Sequence, residues 1–414
     1  MEAFNSYLND LVNKNKETFS SFHNITWLQP YNSTELRNRR EELLRSLEDS
    51  LLFKETKPYH KQISKGCKIC GLGSWSCLFI TGKCNANCFY CPAPQLTDEI
   101  PETQNLEFET AEAYAEYINF FRFKGVSFSG GEPLLFFDRT LQYLKQIRKK
   151  CSPDIYTWMY TNGILGDEQK FRKLAAAGLN EVRFDIGATG FKLDKLQVAK
   201  RTIPNITIEI PAVPEEKEKL IQLLPEMIKA GVTNLNLHQL RLTKHNAPKL
   251  LKRNYSYVPA EQPIVLESEL TALEIVQYAK KHHLDIGINY CSFFFKNRFQ
   301  KAGFRKQTTN ALADPIETIT EKGFIRNYHD NTISYKALVL SNQNYALGKT
   351  QEVNLPHKKI FIKTENAMSP VVLQPEQKNI VDELLIKEPE KIPANPLLFN
   401  IWQMEYIEKG LREI

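Results

Sequence analysis

The sequence predicts an α/β protein whose parallel sheet forms a partial (β/α)6 barrel, and three observations carry that prediction. From Trp75 to about Arg305, apolar strand-like runs alternate with amphipathic helical stretches, which implies parallel strands joined by right-handed crossovers. The polar and glycine-bearing residues that stand out fall at the C-terminal ends of those strands, where such folds carry their chemistry. Six of the eight cysteines crowd between Cys67 and Cys91, too locally for a disulfide framework in a chain this long. A doubly wound open sheet is the physical alternative.

Composition narrows the classes. The chain has 414 residues, 42% hydrophobic and 25% charged, enough for one large α/β domain with appendages. A net charge of +6 permits contact with nucleic acid or an acidic protein without requiring either. The opening MEAFNSYLNDLVNK has neither a basic n-region nor an apolar h-region, and no apolar run approaches the roughly 20 residues of a membrane span. A cytoplasmic chain without membrane contact is expected, with clustered thiols serving a metal.

In chain order, residues 1–52 read as a helical N-terminal cap, with Leu8, Leu11 and Val12 and then Leu36, Leu43, Leu44 and Leu47 at helical spacing. Residues 53–74 form a polar approach loop containing Cys67-Lys-Ile-Cys70. Residues 75–305 make the barrel. The strand WSCLFIT is followed by a cysteine loop and a helix over 110–123. GVSFS ends in Gly130-Gly131-Glu132-Pro133 and leads into a helix over 139–149. DIYTWMYT ends in Thr161-Asn162-Gly163, and a helix over 167–177 follows. EVRFDIG, ITIEIPAVP and TNLNLHQL are the next strands, with a helix over 216–230 before the last of these. A long loop, a helix over 266–282 and the short strand DIGINY complete the unit. After the basic run KNRFQKAGFRKQ, residues 306–414 read as an extension that is β-rich and then helical.

Chemistry concentrates in KCNANCFYCP. Cys84, Cys88 and Cys91 stand in a C-x3-C-x2-C run, and soft thiolates at such spacing suit an iron–sulfur cluster. Three thiolates leave the fourth iron of a 4Fe-4S cube open to a ligand. A zinc site usually asks for four closing ligands. With Tyr90 before the third cysteine, this loop resembles that of the radical S-adenosylmethionine superfamily. The supporting segments are CKIC, FITGKCNANCFYCP, FSGGEPLL, YTNG, NLNLHQL and NYCSFFFKNRFQ, which together resemble a branch related to pyruvate formate-lyase activating enzymes.

The resemblance implies a partial barrel, a 4Fe-4S cluster on Cys84, Cys88 and Cys91, and S-adenosylmethionine as second cofactor. Cofactor contacts are then expected from Tyr90, from Gly130, Gly131 and Glu132 toward the methionyl amino group, and from Thr161 and Asn162 on the ribose side. Arg183 and Asp185, two apart on one strand face, are expected to hold the carboxylate and the ribose hydroxyls. ITIEIPAVP lacks the glycines of the family's adenine motif, so adenine contacts fall to the backbone near 210–213. His238 shares a face with Asn236 and is the remaining candidate for the cofactor or substrate side.

The second cysteine group stays open. Cys67 and Cys70, with Cys291, suit an accessory metal ion or second iron–sulfur cluster; the alternative is a pair of free loop thiols, with Cys77 and Cys291 as small buried hydrophobes. Cys151 has no visible partner.

The implied activity is reductive cleavage of S-adenosylmethionine to a 5′-deoxyadenosyl radical that modifies a macromolecule: a protein, a peptide or RNA. The basic run Lys296, Arg298, Lys301, Arg305 and Lys306 motivates the RNA version. An activase that installs a glycyl radical in a partner enzyme is the alternative, and a non-catalytic zinc or iron–sulfur protein the remote one. A low-potential electron donor, flavodoxin or ferredoxin, completes the expected partners.

Overall fold

The computed structural model describes residues 2–28, 34–343 and 350–411. Its centre is a run of seven parallel strands: β1 (Trp75–Thr81), β2 (Gly125–Gly130), β3 (Tyr156–Thr161), β4 (Glu181–Phe184), β5 (Asn205–Pro211), β6 (Asn234–His238) and β7 (Gly287–Cys291). They lie side by side in chain order. Such an order keeps every crossover of one hand, places the helices on one face and leaves the other face to curl inward. One cavity is lined from β1, β2, β3, β4, β5, β6 and β7 alike, so the sheet is curled as a barrel is. It is not closed: β7 pairs instead with an antiparallel strand, Lys57–His60, and β1 with the short strand Glu102–Thr103. The expected class and partial-barrel architecture are observed, with DIGINY as a seventh stave.

The helices form where the apolar spacing places them, and their ends are set by caps. Thr110 accepts from the Ala113 N–H at the start of Ala111–Phe120, and Asp167 from Lys170 at the start of Glu168–Ala176. The outer core is built from one face of each helix, for example Leu141, Leu144 and Ile147 of Phe137–Lys150, packed on strand residues such as Val126, Met159 and Val182. Among the described residues, no helix is long and apolar enough to cross a membrane.

Three elements differ from expectation. The approach loop contains a helix, Lys65–Gly71, capped by Ser64, whose Oγ accepts from the Cys67 N–H. This helix lies at the foot of the barrel, where a side chain on Gly125, the first residue of β2, would meet Ile69. A helix over Asp194–Lys200 fills the β4–β5 crossover. The basic run is helical too: Phe293–Phe295 continues through a π turn, Lys296–Gln300, into Lys301–Leu312. That helix runs across the boundary expected at residue 305. The extension beyond it is an antiparallel five-stranded sheet followed by helices Pro375–Ile386 and Pro396–Glu405.

The flanking regions are tied together. In the N-terminal helix Glu2–Thr18, Ala3 and Phe4 pack with Phe399 and Trp402 of the extension, and Asn15 exchanges hydrogen bonds with Ala260. Helix Lys301–Leu312 meets the approach segment through a pair of glycines: a Cβ on Gly303 would lie 2.3 Å from the Leu72 carbonyl oxygen, and Gly73 holds φ +67° against Phe304. With backbone on both sides, neither can give way. Gly303→Val is therefore expected to destabilise the protein by about 1–3 kcal/mol, read as a lowered thermal midpoint; an unchanged midpoint would show that the contact is not tight.

Candidate active site

The cysteine loop follows β1 directly, and its three thiols line a cavity of about 240 Å3 at the C-terminal end of the sheet. Gly130 and Gly131, Thr161 and Asn162, and Asp185 line the same cavity from the ends of β2, β3 and β4 or the turns after them. This outer cavity therefore gathers the cysteine loop, the Gly-Gly turn, the Thr161-Asn162 strand end and Asp185. The loop and the Gly-Gly turn make one wall. A Cβ on Gly131 would lie 2.0 Å from the Lys83 carbonyl oxygen, so only glycine permits that approach.

The Cys84 sulfur is supported by N–H donors. Ala86 N–H reaches the Cys84 sulfur at 3.4 Å, and the Asn162 amide reaches it at 3.6 Å while donating to Asn85 at 2.7 Å. Burial pushes the Cys88 thiol up to about 11. Among the described residues no group of three or more His, Cys, Asp or Glu side chains converges to hold a single metal ion. Cys84, Cys88 and Cys91 instead stand around a cavity, and soft thiolates spread in this way fit a polynuclear cluster.

Asp185 is held from two sides. The Tyr90 hydroxyl donates to both carboxylate oxygens, at 2.8 and 2.9 Å, and the Gly187 N–H donates at 3.0 Å. Burial pushes the Asp185 carboxyl up to about 6 in spite of those donors.

Glu132 departs from expectation. It is fully buried and accepts from Leu134 N–H at 2.9 Å, Thr161 Oγ1 at 2.8 Å and Asn162 N–H at 2.7 Å. Its carboxylate thus ties the Gly-Gly turn to the end of β3 and faces away from the cavity. It positions Thr161 and Asn162; the turn presents backbone to a ligand.

Arg183 is a second correction. It is 2% exposed and its guanidinium donates to Glu181 at 2.9 Å, Glu209 at 2.7 Å and Ser64 at 3.0 Å. It lies 5.0 Å from the Trp158 ring. These partners commit its charge inward, so no cofactor carboxylate is held by it. A third correction concerns His238, which does not line the outer cavity. Its Nε2 lies 2.5 Å from Glu209 and its Nδ1 2.8 Å from Lys296 Nζ. Because a carboxylate only accepts, Nε2 carries the proton, and Nδ1 accepts from Lys296. Burial, with the Lys296 charge, lowers His238 to about 4, so the imidazole is neutral.

These residues border an inner cavity of about 250 Å3 that also takes in Cys67, Cys70, Cys77 and Cys291. The two cavities share Ser129, Tyr160 and Glu209 as a common wall. A third hollow of about 330 Å3, bordered by Tyr90, Pro92, Pro211, His238 and Arg241, adjoins both. Cys67, Cys70 and Cys291 thus border one cavity. Cys151 lies elsewhere, its sulfur 3.5 Å from the Ala115 carbonyl.

Sequence reasoning missed Glu209, Lys57 and the role of Lys296. Glu209 had a signal, a lone acid in the apolar strand ITIEIP, because a charge facing a barrel interior needs a partner there. The five-residue basic run is not a surface stripe: Arg298 is buried against Glu408, Arg305 packs on Phe324, Lys296 lines the inner cavity, and Lys301 and Lys306 alone are exposed.

The chain is similar to several known proteins. Residues 78–234 match the family model of the radical SAM superfamily. A protein of Methanocaldococcus jannaschii with the provisional name glycyl-radical enzyme activating enzyme MJ0021 is 30% identical over 277 residues, 64% of this chain and 72% of the relative. Among solved structures, Streptococcus suis SuiB bound to S-adenosylmethionine aligns with a TM-score of 0.40 at 14% identity, over 55% of this chain and 53% of that one. SuiB bound to its precursor peptide SuiA gives 0.41 at 13% identity, over 76% and 66%. The chain thus spans about half the length of the first of these SuiB structures.

Arg183→Met would leave Glu181 and Glu209 buried without their cation, and about 3–5 kcal/mol of stability should be lost. Chemical denaturation checks this. A loss below about 1 kcal/mol would mean that the acids are compensated by other groups.

Proposed function

Because the chain belongs to the radical S-adenosylmethionine superfamily, we propose that its outer cavity is the site where that family's 4Fe-4S cluster and S-adenosylmethionine meet, and that it acts on a protein or peptide. The observation that carries the reading is the gathering of three thiols, the Gly-Gly turn, Thr161-Asn162 and Asp185 around one cavity at the strand ends. The cluster and S-adenosylmethionine, when bound, supply one-electron cleavage of a carbon–sulfur bond and a primary carbon radical that abstracts hydrogen.

The protein's part is to bind, orient and exclude water. Cys84, Cys88 and Cys91 hold the cluster. Gly130 and Gly131 bring backbone close to the ligand's amino group. Asp185, oriented by Tyr90, accepts from the ribose hydroxyls, with Thr161 and Asn162 beside it. The segment between β6 and helix Leu266–Lys281 covers the cysteine loop: Thr243 donates to the Pro92 carbonyl at 2.9 Å, Asn246 to Tyr90 at 3.3 Å, and Arg253 lies 3.7 Å from the Phe89 ring centre. Such a cover keeps solvent from a radical. An electron enters from a low-potential donor such as flavodoxin or ferredoxin, in a reducing compartment such as the cytoplasm; all eight cysteines are free.

A protein or peptide substrate is preferred over RNA because three of the five residues of the basic run, Lys296, Arg298 and Arg305, are engaged within the protein. The activase reading is one case of it, with a glycine Cα–H as the hydrogen donor, and the provisional name of the Methanocaldococcus relative favours that case.

Anaerobically reconstituted protein given dithionite and S-adenosylmethionine should form 5′-deoxyadenosine, and Cys88→Ala should reduce it to background. Undiminished product in that variant would remove the cluster assignment. For Asp185, a hydrogen bond to a ribose hydroxyl needs the ionised carboxylate. Affinity for S-adenosylmethionine should therefore rise as pH increases through about 6. Asp185→Asn should weaken binding about tenfold at pH 8, roughly the worth of one charge-assisted hydrogen bond, and flatten the profile. A wild-type affinity independent of pH would contradict this role.

A further inference from the structure

We propose that the inner cavity is a second iron–sulfur site, in which Cys67, Cys70 and Cys291 hold a cluster and the buried ammonium of Lys57 balances its charge. The three thiols come from two elements that the fold brings together. Helix Lys65–Gly71 places Cys67 and Cys70 three residues apart on one face, and β7 ends in Cys291. All three thiols border the same cavity. Cys77 borders the cavity as well, from within β1.

Two further observations point to a ligand. The sulfurs already accept from side-chain amides, Cys67 from Asn236 at 3.2 Å and Cys70 from Gln300 at 2.9 Å, as Cys84 accepts from Asn162 in the outer cavity. Donors of this kind steady thiolate ligands and tune an iron–sulfur centre. Independently, Lys57 is 1% exposed, borders this cavity and lies 4.3 Å from the Phe295 ring centre; among the described residues no carboxylate pairs with it. A buried ammonium without an anion is costly, and thiolates bearing a cluster supply that anion. Arg183 cannot serve, because Glu181 and Glu209 already engage it.

The inner cavity also matches the outer one in size, about 250 against 240 Å3, and neither thiol set converges on a single ion. Assembly takes sulfide with equal parts of ferrous and ferric iron for a four-iron cluster, or with ferric iron alone for a two-iron cluster, and each thiol releases its proton as an iron–sulfur bond forms. With Ser129, Tyr160 and Glu209 shared between the cavities, one layer of side chains separates the two centres.

This inference stands apart from the proposed activity, because iron is counted before any S-adenosylmethionine is added. The full chain is reconstituted anaerobically with iron and sulfide. The wild type should carry about eight irons, or about six for an inner two-iron cluster. The triple variant Cys84→Ser, Cys88→Ser, Cys91→Ser should retain the two to four that belong to the inner site. The matching variant at Cys67, Cys70 and Cys291 should retain about four. Lys57→Gln should keep the iron but lower the midpoint potential of one cluster and leave the other unmoved, which supports the charge role even if the inner triple variant does not fold. A wild type with about four irons, an outer triple variant with none, zinc in place of iron, a Cys67–Cys70 disulfide, or two potentials unmoved by Lys57→Gln would each overturn the assignment.

Discussion

The buried guanidinium of Arg183 is the constraint on which the interior depends. It joins β4 to β5 through Glu181 and Glu209 and reaches Ser64, which caps the helix bearing Cys67 and Cys70. Burial alone would raise the Glu209 carboxyl, yet Arg183 and His238 hold it well below the usual range. Glu209 then orients His238, and His238 accepts from Lys296, so one charge network sets the floor of the barrel and the position of the foot helix. Gly66 shows how close that packing is, since a Cβ there would lie 2.3 Å from Arg183 Nη2. The network is paired internally, which is why it gives shape to the interior and leaves ligand contacts to other groups.

Above that floor the site is layered. Glu132 locks the Gly-Gly turn to Thr161 and Asn162, and Asn162 in turn donates toward Cys84. Residues expected to touch a cofactor thus divide into those that border the cavity and those that hold the border in place. Tyr90 and Asp185 act as a pair, because the phenol fixes both carboxylate oxygens while the acid stays at the cavity wall.

Much of this was legible from residue order. Strand ends marked by Gly130-Gly131 and Thr161-Asn162 sit at the cavity because βα alternation sends every strand's C-terminus to the same side. What was not legible was the destination of charge. Spacing puts Arg183 and Asp185 on one face, but only packing shows that two acids from neighbouring strands claim the arginine first. The same holds for KNRFQKAGFRKQ, which reads as a solvated basic stretch and becomes a helix in which Arg298 is buried against Glu408 and Arg305 packs on Phe324. The CKIC segment reads as a loop because its glycines suggest turns; its helix exists through the Ser64 cap and its packing on β2 and β3. Lys57 carried no signal, since a lysine in KPYH looks like an ordinary edge-strand charge.

The central claim is that Cys84, Cys88 and Cys91 form the chemical centre of the molecule. Anomalous diffraction at the iron edge, from crystals of the anaerobically reconstituted chain, tests it most directly by placing the metal in space. The account predicts an iron peak enclosed by Cys84, Cys88 and Cys91 and bordered by the Gly130-Gly131 turn. Iron located elsewhere with none among those three thiols would contradict it.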